Sequence, residues 1–167
     1  MSPSPPARLS GRQGVRYKGE VELRGARSED IPALVRLLEI LFSQEDEFTP
    51  DAALQERGLR AILSDPQLGE IVVAEEEGRL VGMVSLLYTV STALGSRVAL
   101  LEDTVVDPSR RGAGVGSRLL EEALQVCRRR GCSRITLLSD ARNTKAHRFY
   151  RRFGFVGSAM IPLRRFL

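Results

Sequence analysis

The sequence has two cysteines, one histidine and no apolar stretch long enough to cross a bilayer, and each shortage removes a class of function. Cys127 and Cys132 match no zinc-binding spacing, and two thiols make no disulfide framework, so both read as reduced packing residues of a cytoplasmic protein. His147 stands alone among Lys and Arg and reads as a surface residue. With no second His or Cys cluster, no metal is expected. The longest uncharged run, Leu80 to Ser96, is short and rich in Ser, Thr and Gly, which fits two β elements rather than a membrane span. Residues 1–19 lack the apolar core of a secretory signal.

Acid is also missing from those first nineteen residues, which carry Arg8, Arg12, Arg16 and Lys18 among Pro, Ser and Gly. They are expected to form a disordered basic tail ahead of a single domain over residues 20–167. Within the domain the charge is divided. Residues 20–107 hold 7 basic and 18 acidic side chains, and residues 108–167 hold 14 and 3. This fits a site that takes an anion with its C-terminal half and a cation with its N-terminal half, or else two solvated faces. The Arg128–Arg130, Arg151–Arg152 and Arg164–Arg165 clusters have no interleaved aromatics, so nucleic acid is not an expected partner.

What is present is an alternation of strand and helix patterns. "VELRGAR" (21–27) alternates as a strand, and "SEDIPALVRLLEILF" follows as a helix with Ser28 as N-cap and Pro32 in its first turn. A second helix is expected from about Pro50 to Leu63. "EIVVAEEEGRLVGMVSLLYTV" reads as a hairpin turning near Glu77 and Gly78, and "RVALLEDTVVD" as a further strand. An amphipathic helix from Val115 stops at Gly131, "RITLLSD" (134–140) reads as a buried strand, and "NTKAHRFYRR" (143–152) as a short helix. "GFVGSAMIPLRRF" would add one or two closing strands. The class is α/β, with parallel pairing after residue 98.

Residues 107–120, "DPSRRGAGVGSRLL", set two arginines and three glycines between a strand and a helix, the geometry that grips phosphate on bare backbone amides. A P-loop is excluded because no lysine stands at this helix start. A dinucleotide fingerprint is disfavoured: Gly112, Gly114 and Gly116 space as GxGxG, and Asp140 lies beyond the expected interval of about 20 residues. Arg111, Gly114 and Gly116 do satisfy R/Q-x-x-G-x-G/A. Here the sequence resembles the GNAT superfamily of acetyl-CoA-dependent N-acetyltransferases. The resemblance spans roughly residues 21–160, with "LLEDTVVDPSRRGAGVGSRLL" as the cofactor-loop block and "NTKAHRFYRRFGF" as a later block.

The resemblance implies a central mixed, partly splayed sheet of roughly six to seven strands flanked by about four helices. It implies acetyl-CoA as cosubstrate, its pyrophosphate on Arg111, Gly112, Ala113, Gly114, Val115 and Gly116, with Ser117 close by. Thr104, Val105 and Val106 would pair with its pantetheine arm through their main chain, and Asn143 would contact the arm or steady the site. Tyr150 would protonate the departing thiolate. An amine must also lose a proton before it attacks, and Glu102 and Asp103 interrupt an apolar strand at the right place. They are expected on opposite faces, with Glu102 favoured as the proton acceptor and Asp103 as the alternative. The acidic loop "SQEDEFTPD", with Glu45, Asp46, Glu47 and Asp51 around Phe48, could draw in a cationic amine or simply be solvated. A small-molecule amine and a protein amine both qualify as acceptor. The rival reading is a CoA-binding module without catalysis. "SAMIPLRRFL" either finishes its own sheet or pairs with the edge of a second subunit, leaving a homodimer open.

Overall fold

The computed structural model describes residues 20–44 and 49–167, so the expected basic tail and Glu45, Asp46, Glu47 and Phe48 of the acidic loop lie outside the described residues. Alternating β-branched residues make a five-stranded sheet in the order β1 to β5. β1 (Glu22–Gly25), β2 (Gly69–Glu76), β3 (Arg79–Ser91) and β4 (Ser96–Val106) pair antiparallel in turn. β5 (Ile135–Leu137) then joins β4 in parallel. The hairpin between β2 and β3 turns at Glu77 and Gly78, as the sequence predicts.

The period-2 pattern divides the core between the two faces. On β2, Ile71 and Val73 face α1 (Ile31–Phe42) and α2 (Ala52–Ser64), where Leu34, Leu37, Leu38 and Leu59 are buried. Val72 and Ala74 face α3 (Val115–Arg129), which contributes Leu119, Leu120, Ala123 and Cys127. α3 lies close to the sheet because β3 offers it a glycine. A Cβ on Gly82 would stand 2.8 Å from Leu119 Cδ1 and 3.0 Å from the Val105 carbonyl oxygen. Cys127 is buried in this face, and burial pushes its thiol up to about 12; Cys132, half-buried, is also raised by burial. Both are free thiols. Among the described residues no helix is long and apolar enough to cross a membrane.

The architecture is the expected mixed α/β sheet with four helices, and it departs from the sequence reading at three places. Ser28 does not cap α1. It opens a 3-10 turn, Ser28–Asp30, because Arg24 on β1 draws in the Asp30 carboxylate at 2.7 and 2.9 Å while Asp30 also accepts from the Arg27 amide at 2.7 Å. β5 is three residues long and only half-buried, since its outer edge has no strand beside it among the described residues. The closing strands expected after residue 154 do not form, which leaves five strands rather than six or seven. Gly157 and Pro162 interrupt that run, and Val156, Met160, Ile161, Leu163 and Phe166 are exposed, so no buried face exists to set a register.

Leu119 is fully buried between α3 and the sheet. Leu119→Ala should therefore lower unfolding free energy by about 2–5 kcal/mol, read as a reduced urea midpoint at unchanged slope.

Candidate active site

The site is built where β4 outruns its neighbour. β4 is 11 residues long, and β5 pairs only with Ala99, Leu100 and Leu101. From Glu102 to Val106 the β5-side edge of β4 has no strand partner among the described residues. An extended ligand laid along that edge would meet unclaimed main-chain donors and acceptors, as an added strand does. The sequence-predicted residues Thr104, Val105 and Val106 lie on this stretch.

Asp107 follows directly on β4 and shapes the loop after it. It is buried, accepts from the Ser109 hydroxyl at 2.6 Å and the Ser109 amide at 3.0 Å, and pairs with Arg79 at 2.9 Å. The Ser109 contacts and the nearby Arg79 hold its carboxyl below the usual carboxylate range. The chain then makes a 3-10 turn, Pro108–Arg110, and passes through Gly112 and Gly114 at φ 80° and 82°. Only glycine takes these left-handed values without strain. α3 starts at Val115 with Gly114 as N-cap and no side chain to cap it, so the first amides of the helix are open to an anion. A Cβ at Gly112 or Gly114 would meet no atom within 4 Å, which leaves room in front of the loop.

Of the two arginines, Arg110 is turned away to Glu76 at 2.6 Å. Arg111 is exposed at the loop, where Nε donates to the Val106 carbonyl and Nη2 to Gln44 Oε1, both at 3.2 Å. Arg111 thus ties the loop to the end of α1. These open amides, left-handed glycines and bare strand edge fit a ligand with a diphosphate at one end and an extended arm at the other.

α4 (Thr144–Arg151) lies beside the unpaired end of β4, with Tyr150 next to Thr104 and Phe149 next to Gly116. Asn143 is its N-cap, accepting from the Ala146 amide at 3.0 Å, so this residue steadies the helix itself. Tyr150 packs edge-on against Phe149 and Phe155, with ring centroids 5.2 and 5.8 Å away, on the α3 side of the sheet. Burial pushes its phenol up, and the neighbouring Thr104 hydroxyl partly offsets this. Thr104 Oγ1 is buried beside it without a completed hydrogen bond. His147, on the same helix, is half-buried, and among the described residues no group of three His, Cys, Asp or Glu could hold a metal ion.

The opposite side of β4 faces α1 and α2. A register shift between Val84 and Leu86 places Ser85 against the Glu102–Asp103 step. The fully buried Ser85 hydroxyl donates to Asp103 Oδ2 at 2.9 Å and accepts from the Asp103 amide at 3.0 Å. Asp103 lines a cleft of about 300 Å³ whose walls include Leu38, Phe42, Leu59 and Ile62. Glu102 is exposed and does not line it. Two further residues are not legible as site candidates in the sequence: Gln55, which lines the cleft, and Ser85, which is buried behind Asp103. Gln55 occupies the buried stripe of α2 with Leu59 and Ile62, and a polar residue on an apolar stripe is the signal that could have flagged it. A larger cleft of about 450 Å³ between the starts of α1 and α2 includes no residue of β4 or the glycine loop.

Residues 32–155 match the acetyltransferase (GNAT) family. The chain is 33% identical over 138 residues to the uncharacterized N-acetyltransferase YhfO of Bacillus subtilis (strain 168), covering 81% of this chain and 89% of that protein. It is 31% identical over 134 residues to the aminoalkylphosphonate N-acetyltransferase of Salmonella typhimurium, covering 80% and 84%. The fold is similar to that of a possible acetyltransferase from Clostridium difficile 630, with a TM-score of 0.79 at 18% identity over 88% of this chain and 97% of the other.

Gly114→Glu would place a carboxylate and a strained φ where the helix amides are open. The expected result is a loss of CoA affinity on the order of 100-fold in titration calorimetry, because like charges brought together cost several kcal/mol.

Proposed function

The chain belongs to the acetyltransferase (GNAT) family, and on that premise we propose that it carries an acetyl group from acetyl-CoA to a primary amine, with Asp103 as proton acceptor and Tyr150 as proton donor. The observation that carries this reading is the meeting, at one parting of the sheet, of an uncapped glycine-turned helix start and a bare main-chain edge, with a carboxylate on one face of β4 and a partly buried phenol on the other.

Acetyl-CoA would supply an activated acyl carbonyl and a sulfur leaving group. Arg111, Gly112, Ala113, Gly114, Val115, Gly116 and Ser117 would hold its diphosphate through the loop and first helical amides. The main chain of Thr104, Val105 and Val106 would run beside its arm. Asn143 would contribute by fixing α4, and through it Tyr150.

The acceptor must be neutral to attack. An alkylamine with a pKa of ~10.4 is only about 0.1% neutral near pH 7.4, which adds ~4 kcal/mol to the barrier unless the site removes the proton. Asp103 reaches the cleft where an amine can enter, and Ser85 holds its carboxylate in one orientation. Glu102 is exposed, so the geometry favours Asp103 of the two. Tyr150 stays protonated through neutral pH because burial disfavours the phenolate, and a protonated phenol can give its proton to the departing sulfur. An amine acceptor is what the Salmonella enzyme shares with this reading. Its phosphonate is not, because no basic side chain lines the cleft among the described residues.

Tyr150→Phe should lower kcat on the order of 100-fold while leaving CoA affinity intact, measured by thiol release and calorimetry. Asp103→Asn should lower kcat/KM and move the pH profile toward alkali, so that the rate follows deprotonation of the free amine. A Tyr150→Phe variant with full turnover removes the phenol from the mechanism. CoA binding without turnover on any amine would assign the chain a non-catalytic binding role.

A further inference from the structure

α2 contains a side chain whose position is hard to account for by folding alone. Gln55 is only 9% exposed, and both its carboxamide nitrogen and its carboxamide oxygen are buried without a hydrogen-bond partner. Its neighbours on the same stripe, Leu59 and Ile62, are apolar, and a leucine at position 55 would continue the pattern. A buried amide with no partner is destabilising, because it gives up its hydrogen bonds to water and gains none in return. It lines the same cleft as Asp103.

The rest of the lining narrows what could complete it. Among the described residues the cleft is apolar apart from Gln55, Thr49, Asp51 and Asp103. The Asp51 carboxylate is engaged in capping α2, accepting from the Ala53 and Leu54 amides at 3.0 and 3.1 Å. No Lys, Arg or His lines it among the described residues, and the sequence of residues 45–48 between α1 and α2 has none either. A phosphate, phosphonate or sulfate bound here would lie near carboxylates with no cation to pair it, an arrangement that costs far more than an uncharged group would. A carboxamide both donates and accepts, so it suits a hydroxyl or an amide equally well. At about 300 Å³ the cleft stands at the small end of ligand sites.

We propose that the acceptor is a compact amine without a phosphoryl or sulfonyl group, whose uncharged hydroxyl or amide is received by the Gln55 carboxamide while its amine lies at Asp103. This rests on the transferase reading above and makes Gln55 a specificity-determining residue for it. The site then explains the orphaned amide: its hydrogen bonds are completed by the acceptor.

The test uses the full chain, acetyl-CoA and matched primary amines: 5-amino-1-pentanol, its apolar isostere n-hexylamine, and the O-phosphate of 5-amino-1-pentanol, with a second hydroxyl, methyl and phosphate set built on a four-carbon chain. Thiol release should give the hydroxyl amines a kcat/KM at least about 10-fold above the methyl isosteres and at least about 100-fold above the phosphates. Gln55→Leu should shrink the hydroxyl-over-methyl ratio at least about 10-fold, through KM. The same variant should melt about 2–4 °C higher without ligand, since it removes an unsatisfied buried amide. A preference for the phosphates, or a hydroxyl-over-methyl ratio untouched by Gln55→Leu, overturns this inference and leaves the transferase reading standing. If no amine releases thiol while calorimetry still shows CoA bound, both fall together.

Discussion

The structure depends on one parting of strands. β4 and β5 run together for three residue pairs and then separate, because β5 ends at Leu137 while β4 continues to Val106. Backbone groups in a sheet interior are ordinarily paired, so an open edge at this position is a demand for a partner. Each part of the site answers to that gap. The glycine loop stands at its far end, α4 brings Tyr150 against Thr104 on one face, and the register shift opposite Ser85 turns Asp103 toward the other.

The surrounding polar contacts act as braces for this opening. Asp107 ties the end of β4 to Arg79 and to the turn at Ser109. Glu70 on β2 accepts from Tyr88 on β3 at 2.8 Å and pairs with Arg130 after α3, fastening that helix to the strands beneath it. Arg24 joins β1 to β2 through Glu75 at 2.7 Å and to the turn before α1 through Asp30. The Arg24 pairs are the most shielded of these from water, and loss of Arg24 would leave two carboxylates without their partner. Of these, the Asp107 contacts bear on β4 itself, fixing its end where its outer edge is left without a neighbour.

How much of this was legible in the sequence follows from how local each signal is. The glycine loop, the short helix that became α4, and the hairpin at Glu77 and Gly78 are written in contiguous residues, so spacing alone finds them; the Asn143 cap shows only in the structure. Which of Glu102 and Asp103 faces the cleft was not legible there, because a one-residue register shift against Ser85 decides it, and that shift is a property of two strands. Gln55 was hidden for a related reason: its orphaned state exists only once α2 is packed. The apolar residues after Gly154 suggested strands because they are hydrophobic, yet hydrophobicity without a face to cover builds no ladder.

The two cysteines have a practical consequence for the bench. With the Cys127 thiol pushed up to about 12 and Cys132 also raised, neither forms much thiolate at neutral pH, and thiolate is the reactive species toward disulfide reagents and alkylators. Colorimetric reagents that titrate sulfhydryls should therefore register coenzyme set free by turnover against a quiet background from the polypeptide, and storage without reductant should do the native protein little harm.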